Sequence, residues 1–167
     1  HNKGWRAYAS GHAPNERLVV QIPLLAEELA YAAGIVDGEG CIYARVRCGK
    51  TISTYLSLQV TMCSESVIRW LRTHFGGEIF ITSPPSANRQ ERFHWQIRGA
   101  KIATVLTALL PYLIEKRERA KLACELASMI GVGGHRPLPQ DEVSRRTELA
   151  VQIKAFNRNP TSEDCIQ

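Results

Sequence analysis

Two spacings of apolar residues alternate along the chain, one fitting helices and the other fitting strands. Residues 24–36, LLAEELAYAAGIV, are rich in Leu and Ala and follow Pro23, a residue tolerated at helix starts, so this run predicts a helix. Residues 41–48 then alternate: Ile42, Ala44 and Val46 fall on one face and Tyr43, Arg45 and Arg47 on the other, the period of a half-buried strand. After the turn signal Gly49-Lys50, alternation resumes over 52–62. Ile52, Thr54, Leu56, Leu58 and Val60 lie opposite Ser53, Tyr55, Ser57, Gln59 and Thr61, and the two strands are expected to form a hairpin. Ser64 offers an N-cap to a helix over 65–75, which Gly76-Gly77 stops. A second hairpin pairs 78–82 with 92–98 around Ser83-Pro84-Pro85-Ser86. Its second strand turns Phe93, Trp95 and Ile97 inward and Arg92, His94, Gln96 and Arg98 outward. Helical spacing returns over 100–113, broken at Pro111, then over 116–130, closed by Gly131, and over 141–157.

Strands that pair locally and sit between helices make an α+β domain, with an antiparallel sheet covered by helices on one face and open on the other. The open face would carry Tyr43, Arg45, Arg47, Ser53, Tyr55, Ser57, Gln59, Arg92, His94, Gln96 and Arg98. This mixture of cations, amides, hydroxyls and aromatics suits phosphates and base edges. A length of 167 residues with 44% hydrophobic content fits one domain, expected over 24–157. It would lie between a weakly ordered N-terminal tail, 1–23, and a C-terminal tail, 158–167. No internal repeat or low-complexity segment interrupts it.

Charge narrows the class of partner. The chain carries a formal net charge of +5, with 21 Lys and Arg against 16 Asp and Glu. Within 41–120 there are twelve bases and five acids, a net of +7, so the remaining nine bases and eleven acids give −2. A mid-chain positive potential favours a polyanionic partner without identifying it. No stretch approaches the roughly 20 apolar residues of a membrane span, and 1–15 lacks the apolar segment of a signal peptide, which predicts a soluble intracellular protein. Cys41, Cys48, Cys63, Cys124 and Cys165 are odd in number and contain none of the C-x-x-C pairs that a zinc ribbon or redox site requires, which disfavours a disulfide framework, and the cysteines are expected to be small buried or half-buried residues in a reducing compartment.

The end of the first predicted helix carries the candidate chemistry. Ala30, Gly34 and Gly38 recur every fourth residue and leave one side nearly bare, so another helix backbone can approach closely. Asp37 and Glu39 stand at the negative end of the helix dipole, where carboxylates are disfavoured and a positive partner is expected. Gly38 and Gly40 flank Glu39, allowing backbone conformations closed to other residues and letting a ligand or backbone come close. Carboxylates on a glycine-rich helix end fit a hard cation bound through oxygen, as Mg²⁺ is beside phosphate.

Ala32-Ala33-Gly34-Ile35-Val36-Asp37-Gly38-Glu39-Gly40 resembles the signature of the LAGLIDADG homing endonucleases. The order helix, hairpin, helix, hairpin, helices is similar to that family's αββαββα core, and Leu110-Pro111-Tyr112-Leu113 followed by Lys116 resembles the segment bearing its active-site lysine. The resemblance implies a metal-dependent DNA endonuclease that hydrolyses phosphodiesters and makes a staggered double-strand break, with intron homing as its setting. Glu39 falls on the metal ligand, Gly38 on the residue whose carbonyl also reaches metal, and Asp37 on an acid of the site that mainly caps and ties the paired helices. Lys116 matches the lysine that polarises water or offsets phosphate charge. Met62 departs from the pattern, standing where members hold active-site water with a glutamine. One copy of the signature implies a homodimer joined at Ala30, Gly34 and Gly38, reading a long near-palindromic double-stranded DNA site. The implied cofactor is Mg²⁺ or Mn²⁺, with Ca²⁺ binding without supporting cleavage. The implied compartment is the bacterial or archaeal cytoplasm or an organelle. The alternatives are a non-cleaving DNA-binding protein or RNA-splicing maturase of the same fold, and a basic structural domain with a merely solvated sheet.

Overall fold

The computed structural model describes residues 5–7, 24–47, 53–82, 90–130 and 138–156. In chain order these form β1 (Trp5–Ala7), α1 (Ala26–Glu39), β2 (Gly40–Arg47), β3 (Ser53–Met62), α2 (Glu65–Phe75), β4 (Glu78–Thr82), β5 (Arg92–Arg98), α3 (Lys101–Leu109), α4 (Arg117–Met129) and α5 (Gln140–Ala155). The strands make one antiparallel sheet in the order β1-β4-β5-β3-β2. The α+β class and the helix–hairpin–helix–hairpin–helix order are as the alternation requires. One strand was not anticipated: Trp5–Ala7, inside the stretch expected as a tail, pairs with β4 and puts Trp5 opposite Thr82. The rest of 1–23, all of 158–167 and the turns at 48–52 and 83–89 lie outside the described residues.

Register explains the core. β2 pairs with β3 so that Ile42 faces Leu58 and Ala44 faces Leu56, while β3 pairs with β5 so that Leu58 faces Ile97 and Val60 faces Trp95. All of these side chains are buried, together with Val36 of α1, Ile68, Leu71 and Phe75 of α2, Ile102 and Leu106 of α3, Leu126 of α4 and Leu149 of α5. Each large one contributes roughly 1.5–3 kcal/mol relative to exposure. Trp95 also donates its indole N–H to the Gly76 carbonyl at 2.7 Å, tying the sheet to the end of α2. There Gly77 has φ +88, and an added Cβ would stand 2.6 Å from the Gln96 carbonyl oxygen, so glycine is required. On α5 the buried Arg146 holds Glu142 at 2.5 Å, the Thr54 hydroxyl at 3.3 Å and the Met129 carbonyl, latching α5 to β3 and to the end of α4.

Several local expectations are corrected. α1 runs to Glu39, three residues beyond the predicted end, and starts without a side-chain cap from its N-cap residue; instead Glu28 accepts the Leu25 N–H at 3.0 Å. Ser64 occupies the N-cap of α2, but its hydroxyl meets that of Ser66 at 3.1 Å and caps no backbone N–H. α3 ends at Leu109, two residues ahead of Pro111, and Leu110 between them keeps a helical backbone at φ −49, ψ −41. Cys41 and Cys63 are exposed, not buried, because strand alternation sends Cys41 to the side of Tyr43 and Cys63 lies just past the end of β3. Cys124 is half-buried, and burial pushes its thiol pKa up. Cys48 and Cys165 lie outside the described residues. Among the described residues no helix is long and apolar enough to cross a membrane.

Candidate functional site

Where α1 passes directly into β2, the chain has no room for a side chain. A Cβ on Gly40 would meet the Val36 carbonyl oxygen at 2.4 Å, although Gly40 has an ordinary extended backbone at φ −80. Gly38 is helical, and a Cβ there would meet nothing within 4 Å. Neither glycine has a positive φ. Of the two uses expected of these glycines, the special backbone conformation is corrected, while close approach of backbone is found at Gly40; Gly38 leaves its outer side open.

The carboxylate of Asp37 accepts three backbone N–H groups across the fold, from Ile114 at 2.7 Å, Glu115 at 3.3 Å and Lys116 at 2.9 Å. These N–H groups belong to the turn that leads into α4, and the last of them is on its N-cap residue, Lys116. The positive end of one helix dipole thus offsets a carboxylate placed at the negative end of another. Lys116 reinforces the joint: it is 8% exposed and its ammonium donates to the Asp37 carbonyl. Burial of that cation was not legible in its polar neighbours Glu115 and Arg117.

Two residues beyond Asp37, Glu39 is exposed, and its carboxylate makes no hydrogen bond among the described residues. Glu39 and the Gly38 carbonyl are hard oxygen donors, which fits a divalent cation that takes one or two carboxylates and fills its other positions from phosphate and water. No group of three or more His, Cys, Asp and Glu among the described residues could hold a metal by itself. On the same helix Ala30, Gly34 and Gly38 are all exposed, and a Cβ on either glycine would touch nothing.

The helix-free side of the sheet carries two side-chain networks. In the first, Gln59 Nε2 lies 3.2 Å from Thr61 Oγ1 and 3.1 Å from His94 Nδ1, Thr61 Oγ1 lies 2.8 Å from the same Nδ1, and Thr82 Oγ1 lies 2.8 Å from His94 Nε2. Burial, and after it the Arg92 guanidinium, hold the His94 pKa below its ordinary value. In the second, Gln96 donates to the Tyr55 hydroxyl at 3.2 Å and accepts from Arg98 Nε at 2.8 Å, while Arg98 also meets Glu78 at 3.4 Å and lies over the Phe80 ring. Tyr43 and Tyr55 stack edge-to-face at 6.0 Å and line a surface concavity with Arg45, Arg47 and Ser53. Arg45, Arg47, Ser53, Arg92 and Arg98 are exposed, whereas Ser57, His94 and Gln96 are buried in the sheet's own side-chain layer. Thr61 comes from the polar face that alternation assigns to β3, whereas Glu78, Phe80 and Thr82 of β4 join these networks unannounced. Their signal was the alternation of β4.

Met62 packs its side chain against the core at the end of β3, opposite Phe93, and Gln59 faces the open side of the sheet. Neither is the water-holding glutamine that the resemblance expects there.

No family model and no curated protein matches the chain. Solved structures do. The homing endonuclease I-CvuI in complex with its target in the presence of Ca has TM-score 0.63 and 21% identity over 84% of this chain and 87% of that one. The archaeal intron-encoded homing endonuclease I-Vdi141I complexed with DNA has TM-score 0.65 and 16% identity over 81% and 87%. I-SmaMI bound to an uncleaved DNA target in the presence of calcium ions has TM-score 0.60 and 24% identity over 81% of this chain but 46% of that one. The chain has the LAGLIDADG homing endonuclease fold.

Proposed function

We propose that this chain is a site-specific DNA endonuclease, a homodimer that hydrolyses one phosphodiester in each strand of a long near-palindromic site and leaves a staggered break. The observation that carries the reading is the joint at the end of α1. Asp37 and Lys116 lock α4 to the last turn of α1, and beside that lock the acid Glu39 is exposed, its carboxylate without a partner among the described residues.

The exposed side of α1 formed by Ala30, Gly34 and Gly38 admits a second copy at close range, and two-fold symmetry then brings both Glu39 carboxylates near the axis. Glu39 and the Gly38 carbonyl would hold Mg²⁺ or Mn²⁺, which supplies a polarised water and stabilisation of the leaving oxygen. Lys116, fixed by the Asp37 carbonyl, places a cation where charge develops on the phosphate. The two open sheet faces lie against the major groove. Exposed Arg45, Arg47, Arg92 and Arg98 supply phosphate and guanine contacts, and Tyr43, Ser53, Tyr55 and Gln59 supply polar and stacking contacts.

Purified protein incubated with Mg²⁺ and a plasmid library of randomised sites is expected to linearise a recoverable subset. Glu39→Gln, which keeps the side chain's shape and removes its charge, is expected to bind the same subset without cutting it. A wild type that binds sites but never cuts them would make this a non-cleaving DNA-binding protein of the same fold. Wild-type cutting rates in Glu39→Gln would remove Glu39 from the mechanism.

A further inference from the structure

Arg45, Arg47, Arg92 and Arg98 are all exposed on the open side of the sheet, but their surroundings differ. Arg98 Nε donates to the side-chain oxygen of Gln96 at 2.8 Å, and Arg98 Nη2 lies 3.4 Å from a carboxylate oxygen of Glu78. Nε and Nη2 belong to one edge of the guanidinium, so that single edge faces both acceptors. The flat of the group lies over the Phe80 ring, 5.7 Å from its centroid. These supports are themselves held: Gln96 is buried and donates to the Tyr55 hydroxyl, and Glu78 stands directly opposite Gln96 in the pairing of β4 with β5. A guanidinium only donates, which by itself requires the oxygen of Gln96 at this contact. The end of the fork, Nη1 with the outer N–H of Nη2, has no hydrogen-bond partner among the described residues, and half of the side chain is exposed. Among the same residues, Arg45, Arg47 and Arg92 have neither a carboxylate paired to them nor an aromatic ring beneath them.

We infer that Arg98 is a guanine-reading residue of this face, clamped by Gln96, Glu78 and Phe80 so that the free end of its fork meets O6 and N7 of one guanine in each half-site. The inference rests on the DNA interface proposed above and deepens it. Two N–H groups at the end of a guanidinium match two acceptors side by side, and guanine alone shows two acceptors on its major-groove edge. A mobile arginine must give up side-chain freedom to make that pair, whereas Arg98 is already held in place. Glu78 also sorts base from backbone. A phosphate at the end of the fork would be repelled by the Glu78 carboxylate, while the guanine edge carries no net charge. Arg45, Arg47 and Arg92, with no carboxylate paired to them, suit phosphates better.

The experiment is selection of bound duplexes from a library randomised over the half-site, with the wild type, Arg98→Met, Glu78→Ala and the Glu78→Ala/Arg98→Met double variant, followed by salt titration of binding to the best site. Both side chains are at least half exposed, so the fold tolerates their truncation. Arg98→Met is expected to relax one position per half-site, at which the wild type prefers guanine by about tenfold, and to leave the slope of log K against log salt nearly unchanged. Glu78→Ala loosens the clamp but keeps the guanidinium. It is expected to lower the guanine preference at that same position, and at no other, by about two- to tenfold. The double variant is expected to lose no more there than Arg98→Met. A position relaxed by Arg98→Met at which the wild type prefers adenine, cytosine or thymine would overturn the inference, and so would an unchanged guanine preference in Glu78→Ala. Relaxation of no position by Arg98→Met would overturn it too, and a salt slope shallower by about one unit per copy would then mark Arg98 as a phosphate contact. A wild type that enriches no sequence at all would instead defeat the DNA interface itself.

Discussion

Lys116 does two jobs that a substitution separates. Its ammonium is buried against the Asp37 carbonyl, so Lys116→Met removes a hydrogen bond from a charged donor as well as a cation from the proposed reaction centre. The first loss is expected to cost about 1.5–3 kcal/mol of stability, and the second to slow cleavage by about 10²-fold or more. Single-turnover kinetics well below the melting temperature isolate the second, and an unchanged rate there would leave Lys116 a structural residue only. His94 yields a pH dependence of stability. Its folded pKa lies below the ordinary 6.5, chiefly through burial and then through Arg92. The unfolded chain therefore takes up this proton near 6.5, and the folded chain takes it up only at lower pH. Its contribution to stability is steady above about pH 7 and falls as the pH drops through and below 6.5. Urea midpoints for the wild type and His94→Asn at pH 7.5 and 5.5 are expected to show a steeper loss in the wild type; equal losses would mean that His94 is not the titrating group.

Helices α1 and α4 meet end to end in charge, and that joint depends on one carboxylate. Asp37→Asn preserves volume and one acceptor oxygen but puts an NH₂ donor against backbone N–H groups of 114–116. It is expected to cost about 1–3 kcal/mol, read as a lower urea midpoint, and to loosen the placement of Lys116 along with it. A variant as stable as the wild type would show that the dipole contact at this joint is not what holds the two helices together.

The oligomeric state is tested where the monomer is indifferent. A Cβ at Gly34 meets nothing within 4 Å, and Gly34 lies mid-helix, where leucine is a better helix former by somewhat under 1 kcal/mol. Gly34→Leu is therefore expected to leave the monomer as stable as before or slightly more so, while a side chain pushed between two helix backbones costs the dimer about 1–3 kcal/mol or more. Sedimentation at several concentrations, read beside thermal melts, separates the two effects. A wild type that stays monomeric and binds DNA one-to-one would end the two-fold mechanism.

The sequence by itself determined which side chains of β2, β3 and β5 share a face, because a period of two sorts residues before any partner strand is known. Ile42, Leu58 and Trp95 inward and Arg45, Gln59 and Arg98 outward needed nothing more. It also placed the acids of the candidate site, since Asp37 and Glu39 lie next to glycines at a helix end. Whatever depended on contacts between distant parts of the chain waited for the tertiary structure. α1 outlasts its apolar pattern because donors 77 to 79 residues away bind Asp37. Lys116 is buried because α4 starts against the end of α1. His94 is withdrawn from the open face because β5 lies at the centre of the sheet, where Thr61 on one side and Thr82 on the other take both ring nitrogens. Periodicity assigns a face to a residue, but only the neighbouring strands decide whether its polar atoms are still free when DNA arrives.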